Sequence, residues 1–363
     1  MSQTWSHAAE SPKMTQDDSA VPPTPTTGAT PAPETASLAA LEEMAQRALA
    51  LWDLPAGAKV HLINVSENTT YLVEAPNGFR AVLRVHRPNY HSRRAIECEL
   101  LWAEDLSLNG GVGAPRAYLG RDGSRIQTAT LPGQSTKRHL VLFHFIHGDE
   151  PTPDHDLRPA FEALGAMAAR THLHAIGWPR PPQFERLRWD LDAVFGSTPT
   201  WGHWRDAPGV TPAIAARLSQ TQDLICARLD AFGTAPDRFG LIHADMRLAN
   251  LLIGPDGPQL IDFDDCGLGW FLYDFAAAIS FMEDHPQVGA LKEAWVTGYR
   301  SIRALSDCDV AELDTFVMLR RLALLAWIGS HITAPEPQRF APSFARVTDD
   351  LAKNYLARMG KRP

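Results

Sequence analysis

Three side chains in and after the segment HADMRLAN, residues 243–250, have the types and spacing needed to carry out chemistry together. Asp245 lies inside the segment, Asn250 ends it, and Asp262 follows after LLIGPDGPQLI. This intervening sequence predicts two apolar strands joined by a PDG turn, so that Asp262 folds back beside Asp245 and Asn250. A carboxylate that orients a hydroxyl and accepts its proton, with oxygen ligands for Mg²⁺, is what phosphoryl transfer from a nucleotide requires.

The same segment resembles a known family. HADMRLAN resembles the protein-kinase-like catalytic loop His-x-Asp-x-x-x-x-Asn, and IDFDD (261–265) resembles the metal-binding segment that follows it. With GLGWFLYDFAAAI (267–279), the sequence is similar to the aminoglycoside phosphotransferase and homoserine kinase-like family, over roughly residues 40–340. The resemblance implies an α+β, protein-kinase-like two-lobed fold, with a small antiparallel-sheet N-lobe and a larger, mainly helical C-lobe.

By position, the resemblance also implies roles for individual residues. Asp245 would be the catalytic base, Asn250 and Asp262 would bind Mg²⁺, and ATP would be the phosphoryl donor. His243 and Asp274 would support the loop, His243 as a brace rather than an acid, while Asp274 alternatively only caps a helix. A lone His-x-Asp is usually a polar turn. The complete set, with its hairpin and the two-lobed pattern, favours catalysis.

The loop NVSENTT (64–70) stands where the family has its phosphate-covering loop, but it contains no glycine. Backbone N–H groups in such a turn can still hold phosphate oxygens. Ser66 and Thr69 add hydroxyl groups as candidate ligands. The alternative is an ordinary hairpin turn.

A basic residue and an aromatic strand are the other candidates for nucleotide binding. Arg84 in AVLRVHRP stands at the position resembling the kinase lysine, where it either holds phosphates or is a surface arginine. Its expected carboxylate partner is Glu99, with Glu97 as the rival. We expect adenine to lie against VLFHFIHG, which contains Phe145, with hinge hydrogen bonds from the backbone before Gly148.

The pattern along the chain predicts three regions. Residues 1–36 are rich in Pro, Thr, Ser and Ala and predict a disordered tail. Residues 37–147 predict the N-lobe: a helix, three strands around the SENT and PNG turns, a second helix, a hairpin around RDG and a buried strand. Residues 148–363 predict the helical C-lobe that carries the catalytic loop and metal site.

Composition and charge limit the partners. The net charge of −8 argues against nucleic acid or an anionic membrane as the main partner. The four cysteines are irregularly spaced, so neither a disulfide framework nor a zinc site is expected, and a cytoplasmic location is predicted. No apolar run has the length of a membrane span. The expected partners are ATP and a small-molecule hydroxyl acceptor, and the oligomeric state stays open.

The sequence favours a small-molecule kinase over a eukaryotic-type protein kinase. Ala244 replaces the arginine of His-Arg-Asp, only 11 residues separate Asp262 from Asp274, and no A-P-E follows. The preferred acceptor is an amino alcohol or hydroxy amino acid. Alternatives are an aminoglycoside O-phosphotransferase, a bacterial Ser/Thr protein kinase of the same fold, or a nucleotide-binding pseudokinase. A metal-dependent hydrolase would need histidine ligands, whose spacing the sequence lacks.

The segment MLRRLALLAWIGSH offers candidates for binding the acceptor: Arg320, Arg321, Trp327 and His331. A cationic pair of arginines would suit the carboxylate of an amino acid. The alternative is that both arginines face solvent.

Five further polar residues have two interpretations each. Arg247 either meets a phosphate or pairs with a nearby acid. Asp264 and Asp265 either lie near a second metal ion or are solvated turn carboxylates. His172 and His174 resemble metal ligands, but residues two apart on a helix diverge, which favours core and surface roles.

Overall fold

The first lobe of the chain is built on a five-stranded antiparallel sheet. The computed structural model describes residues 37–65, 68–152 and 155–360, so the predicted tail 1–36 lies outside the described residues. The strands are β1 (Lys59–Val65), β2 (Thr69–Glu74), β3 (Arg80–Val85), β4 (Gln127–Thr130) and β5 (Lys137–His144), in the order β1-β2-β3-β5-β4. Gly78 has φ +85° in the turn between β2 and β3, a conformation that glycine adopts without steric cost.

Two helices accompany this sheet: α1 (Leu38–Ala48) and α2 (Arg93–Asn109). Helix α2 begins after Ser92, whose hydroxyl accepts a hydrogen bond from Ala95 N at 3.0 Å and caps the helix. One face of the sheet is lined by Val82, Val141 and Phe143, which pack with apolar residues of α2. The helix therefore holds Glu99 beside β3, where it contacts Arg84.

The second lobe is mainly helical. Its helices are α3 (Arg158–Gly177), α4 (Leu191–Phe195), α5 (Pro212–Phe232), α6 (Tyr273–Ala278), α7 (Val288–Arg300), α8 (Asp307–Ser330) and α9 (Pro335–Met359). Helix α8 is buried around most of its circumference, as expected for a helix in the centre of a lobe. Helices α3 and α7 approach closely because Gly165 and Gly298 have no side chain: a Cβ at either position would overlap backbone of the other helix.

Short strands carry the polar segment between these helices. They are β6 (Leu187–Trp189), β7 (Phe239–Ile242), β8 (Leu251–Gly254), β9 (Gly257–Leu260) and β10 (Gly267–Trp270). Strand β10 pairs with both β6 and β7, while β8 and β9 form a separate hairpin. Residues 243–250 follow β7 directly. Ile261 N donates to Asn250 O at 2.9 Å, so the chain after β9 returns beside the end of this loop.

The predicted α+β, two-lobed fold is confirmed, and the predicted hairpin around PDG is β8–β9. The predicted hairpin around RDG is wrong in its first arm: residues before the turn form only a single bridge, from Ala117 to Phe143 of β5. The lobe boundary at residue 148 stays a prediction. Among the described residues, no helix has the length and apolarity to cross a membrane.

Candidate active site

The loop after β7 is held in an unusual backbone conformation by one buried carboxylate. Ala244 has φ +66°, a region that costs free energy for residues other than glycine. Asp274, at the start of α6, accepts hydrogen bonds from Ala244 N at 2.7 Å and His243 N at 3.2 Å. This bracing fixes the direction in which the next side chain, Asp245, leaves the loop.

The bracing carboxylate is itself held by a buried histidine. His172 of α3 donates from Nε2 to Asp274 Oδ2 at 2.9 Å and accepts from the Tyr299 hydroxyl at Nδ1, at 3.0 Å. Burial lowers the pKa of His172 although Asp274 opposes the shift, so the ring is neutral at pH 7. His174 instead contacts Asp105 at 2.7 Å on another side of α3, so the two histidines share no site.

His243 also has a structural place. Its Nε2 donates to Ile261 O at 3.2 Å, and its Nδ1 accepts from Asp245 N at 3.3 Å. Burial lowers the pKa of His243, which agrees with a neutral ring holding one proton on Nε2. The ring thereby links the loop to the strand end before Asp262.

The carboxylate of Asp245 is surrounded by donors. Its Oδ1 accepts from Arg320 Nη2 at 2.8 Å, its Oδ2 accepts from Asn250 Nδ2 at 2.7 Å, and Arg247 Nε lies 3.3 Å from Oδ2. Burial alone would raise the pKa of Asp245, but Arg247 and Arg320 outweigh it and hold the pKa below its usual range. Asp245 is therefore ionised at neutral pH.

Asp262 lies at the other side of the loop, with φ +61° and a side chain that is 52% exposed. Partial burial in the cleft, together with the neighbouring carboxylates Asp264 and Asp245, raises the pKa of Asp262 to about 7 against the attraction of Arg84. An accessible carboxylate beside two other carboxylates is suited to binding a cation. Asn250 points its amide nitrogen at Asp245, which leaves its amide oxygen available for the same cation.

These residues fit a divalent metal ion only in part. Among residues 37–65, 68–152 and 155–360, no group of three or more His, Cys, Asp or Glu side chains is arranged to hold a metal. A cation bound by Asp262 and Asn250 would need further oxygen ligands. Nucleotide phosphates commonly supply them, since Mg²⁺ is usually held by one or two carboxylates plus substrate.

Arg84 of β3 extends to the same place from the first lobe. Its Nη2 donates to Glu99 Oε1 at 2.5 Å, and its Nη1 lies 3.6 Å from Asp262 Oδ1. Burial opposes the charge, but Glu99 and Asp264 more than compensate and raise the pKa of Arg84. Glu97, the rival partner, is instead paired with Arg94 at 2.7 Å.

Asp264 is buried, so its interpretation as a solvated turn carboxylate is wrong. The residue is only 6% exposed, and its carboxylate lies 3.7 Å from Arg84 Nη1 and 3.5 Å from His91 Nε2. Burial would raise the pKa of Asp264, but Arg84 and His91 hold it far below the usual range. Asp265 accepts a hydrogen bond from the Tyr90 hydroxyl at 3.0 Å.

A cavity of about 600 Å³ lies between the lobes and collects most of these side chains. Arg84, Glu99, Phe145, Asp245, Asn250 and Asp262 all line it. Thr69 does not: it is buried on the opposite face of β2, and its neighbour Thr70 lines the cavity because strand residues alternate in direction. Ser66 lies outside the described residues, and His243 is buried behind the loop.

The half of the cavity beside α8 and α9 differs from the prediction. Arg320 lines it, but Arg321 points away and donates to Glu283 Oε2 at 2.6 Å, so the predicted pair of adjacent arginines is wrong. Neighbouring helix residues do not face the same side. Arg247 is the second arginine here. His331 lies 3.5 Å from Arg87 Nη1 and is not among the lining residues.

Several lining residues of this half were missed by sequence analysis: Trp201, Phe281 and Glu336, which join the predicted Trp327. They come from separate segments after α4, α6 and α8. Phe281 and Trp327 pack at 6.1 Å between ring centroids. The PEP sequence at the start of α9 is the local signal that could have drawn attention to Glu336.

The fold is that of protein-kinase-like phosphotransferases. Residues 60–305 match the model of the phosphotransferase enzyme family, and the chain belongs to that family as a small-molecule kinase. The solved structure of a microcompartment-associated aminopropanol kinase is similar, with 44% identity, 88% of this chain and 98% of that chain covered, and a TM-score of 0.80.

Two other relatives are more distant. A hydroxylysine kinase of Danio rerio is 23% identical over 207 residues, which are 54% of this chain and 56% of the relative. The solved structure of an amicoumacin kinase with AMP-PNP and Ca²⁺ is 20% identical, covers 84% of this chain and 92% of that chain, and has a TM-score of 0.68. The second likeness concerns the fold alone.

Proposed function

We propose that this enzyme transfers the γ-phosphoryl group of ATP to the hydroxyl group of a small amino alcohol. The proposal rests on the surroundings of the ionised Asp245. The half of the cavity next to this residue is lined by the carboxylate of Glu336 and the rings of Trp201, Phe281 and Trp327. Aromatic faces and a carboxylate are groups that attract an ammonium. The 44% identity to an aminopropanol kinase supports the same class of acceptor.

In the proposed reaction, Asp245 orients the acceptor hydroxyl. The hydroxyl oxygen forms a bond to the γ-phosphorus as the bond from phosphorus to the ADP oxygen breaks, and the hydroxyl proton passes to Asp245. The lowered pKa makes Asp245 a weak base. This suits a loose transition state, in which positioning matters more than early proton removal. Arg320 and Asn250 hold the carboxylate in place.

We propose that Asn250 and Asp262 bind Mg²⁺ together with the nucleotide phosphates. When bound, the ion supplies charge neutralisation at the phosphoryl oxygens. Asp262 would hold the ion through a carboxylate oxygen and Asn250 through its amide oxygen. His243 and Asp274 act as positioning residues, because neither lines the cavity and both fix the loop.

For the nucleotide, we propose Arg84 as a phosphate ligand. Glu99 orients the guanidinium, as a carboxylate does for the lysine of related kinases. Phe145 would contact the adenine, and its ring is held by Arg80, whose guanidinium carbon lies 3.8 Å from the ring centroid. Thr70 takes the place proposed for Thr69, because Thr70 faces the cavity.

The test is a coupled ADP-release screen over amino alcohols, hydroxy amino acids, sugars, aminoglycosides and protein substrates. We expect amino alcohols to give the highest kcat/KM. Turnover only with aminoglycosides or proteins would favour those alternatives. ATP binding without turnover on any acceptor would favour the pseudokinase and overturn the proposal.

A further inference from the structure

Arg247 lies between the carboxylates of Asp245 and Glu336. These two carboxylates line the half of the cavity beside α8 and α9, which we call the acceptor half. Its Nη1 donates to Glu336 Oε1 at 2.9 Å, and its Nε lies 3.3 Å from Asp245 Oδ2. The Nε–H has no hydrogen-bond partner among the described residues, so the contact with Asp245 is one of charge alone. The side chains of Arg247 and Glu336 are 27% and 40% exposed, and ion pairs this accessible to water are weak.

The contacts of the guanidinium set an upper limit on the distance between the carboxylates of Asp245 and Glu336. Two nitrogens of a guanidinium lie about 2.3 Å apart in its rigid fork. Adding the two contact distances gives an upper limit of about 8.5 Å between Asp245 Oδ2 and Glu336 Oε1. Any acceptor that places its hydroxyl on Asp245 and its ammonium on Glu336 must span this gap.

We infer that Arg247 occupies the place of the acceptor, and that the acceptor is a vicinal amino alcohol, with hydroxyl and ammonium on adjacent carbons. This inference rests on the proposed function and narrows its substrate class. Arg247 presents its positive charge to both carboxylates and donates a hydrogen bond to Glu336, so it occupies the positions that the polar groups of the substrate would take. The acceptor displaces Arg247 from between Asp245 and Glu336.

Bond geometry selects the vicinal arrangement. With staggered bonds, the oxygen and nitrogen of a vicinal amino alcohol lie about 3 to 4 Å apart, whereas in an extended 1,3-amino alcohol they lie about 5 Å apart. With a hydrogen bond of about 2.8 Å at each end, the vicinal compound spans about 9 Å and the extended 1,3-compound over 10 Å. The vicinal compound fits the distance between the carboxylates if its hydrogen bonds are slightly bent. The 1,3-compound fits only if its carbon chain leaves the extended conformation.

The charges at the two ends set the direction of binding. At the Asp245 end, Arg320 donates to the carboxylate and repels an ammonium, so the hydroxyl meets the base. At the other end, Glu336 lies in the first turn of α9 and attracts the ammonium. The rings of Phe281 and Trp327 line the cavity between, where they contact the carbon chain.

The first test compares two isomers of the same formula, 1-amino-2-propanol and 3-amino-1-propanol. We expect kcat/KM to be at least about tenfold higher for the vicinal isomer, which is a difference of about 1.4 kcal/mol. The inference is overturned if the 1,3-isomer is used equally well or better. If neither isomer nor any other amino alcohol is phosphorylated, the proposed function itself fails.

The second test separates the ammonium contact from the rest of the site. Glu336→Gln should lower kcat/KM for 1-amino-2-propanol at least about tenfold and leave that for 1,2-propanediol within about twofold, since the diol carries no charge. The KM for ATP should not change. An equal loss on both acceptors would overturn the role of Glu336.

The third test examines the displacement. If Arg247 competes with the acceptor, Arg247→Ala should lower the Kd of 1-amino-2-propanol, measured by calorimetry without nucleotide, by about threefold or more. Propylamine, which has no hydroxyl, serves as the control, and its Kd should fall less. Weaker binding of 1-amino-2-propanol by the variant would show that Arg247 assists the acceptor, and would overturn the displacement.

Discussion

Arg320 Nη2 donates a hydrogen bond of 2.8 Å to Asp245 Oδ1, and this contact joins the buried helix α8 to the loop of residues 243–250. The guanidinium is 2% exposed and also lies 5.1 Å from the Trp201 ring centroid. The carboxylate is thus held from the helical side as well as from its own loop. Its direction into the cavity is set before any ligand arrives.

Asp245→Asn should lower kcat by about 10³-fold or more, because the amide cannot take the proton of the acceptor hydroxyl. The Kd for Mg²⁺–nucleotide should stay within about twofold. Single-turnover kinetics and nucleotide titration measure the two effects. Asp256→Asn, in the exposed turn between β8 and β9, is the matched control and should behave as wild type. A variant at position 245 with wild-type turnover would contradict the assignment of the base.

Asp262→Ala should remove the dependence of nucleotide affinity on Mg²⁺, because the proposed carboxylate ligand is lost. In the wild-type enzyme, chelation with EDTA should abolish turnover and weaken nucleotide binding to the level of the variant. Fluorescence titration with a nucleotide analogue, with and without Mg²⁺, measures this. An Mg²⁺ effect of wild-type size in the variant would remove Asp262 from the site.

Arg84→Ala should raise the KM for ATP at least about tenfold and destabilise the fold by about 3 kcal/mol, because it leaves Glu99 buried without its partner. The double variant Arg84→Met, Glu99→Leu should recover most of the stability but not the KM. Urea unfolding and steady-state kinetics separate these effects. A double variant with normal KM would assign Arg84 to structure alone.

Gly298→Ala should destabilise the enzyme by about 2 kcal/mol or more, because the added methyl group overlaps the backbone oxygen of Glu162 and pushes α3 from α7. Gly289→Ala, on the same helix with open space around it, is the control and should be neutral or stabilising by up to about 1 kcal/mol. Melting temperatures of the two variants compare them. Equal effects would mean that the helices can separate without cost.

The stability of the enzyme should fall as the pH drops below about 6.5. Burial keeps the pKa of His172 below that of the unfolded chain, so the unfolded chain binds a proton that the folded one refuses. Each such histidine contributes a slope of up to about 1.4 kcal/mol per pH unit. His172→Gln should reduce the slope by up to one proton, measured by urea unfolding at a series of pH values below about 6.5. An unchanged slope in the variant would show that His172 does not contribute to it.

The sequence predicted the parts of the site that depend on local spacing. Asp245, Asn250 and Asp262 are separated by one loop and one hairpin, and the PDG turn settles the register between them. The acceptor half was not predictable in this way. Trp201, Phe281 and Glu336 come from three separate segments, and only the packing of α8 brings them to one cavity.

Two other differences have simple physical causes. Thr69 and Thr70 differ by one position on a strand, and one position decides which face of the sheet a side chain occupies. Asp264 has the sequence of an exposed turn, but the cation that draws it into the interior, Arg84, belongs to the other lobe. An ion pair between residues of different lobes cannot be predicted from the sequence around either residue.

The arginine at position 84 changes how the proposed nucleotide site can be modified. Among the described residues that line the cavity there is no lysine. Acetylation and other acylations act on the lysine amine, so they have no target there. A guanidinium keeps its charge at any pH at which the protein is folded. Dicarbonyl reagents, which react with arginine, are therefore the chemical probes for this site, and bound nucleotide should protect against them.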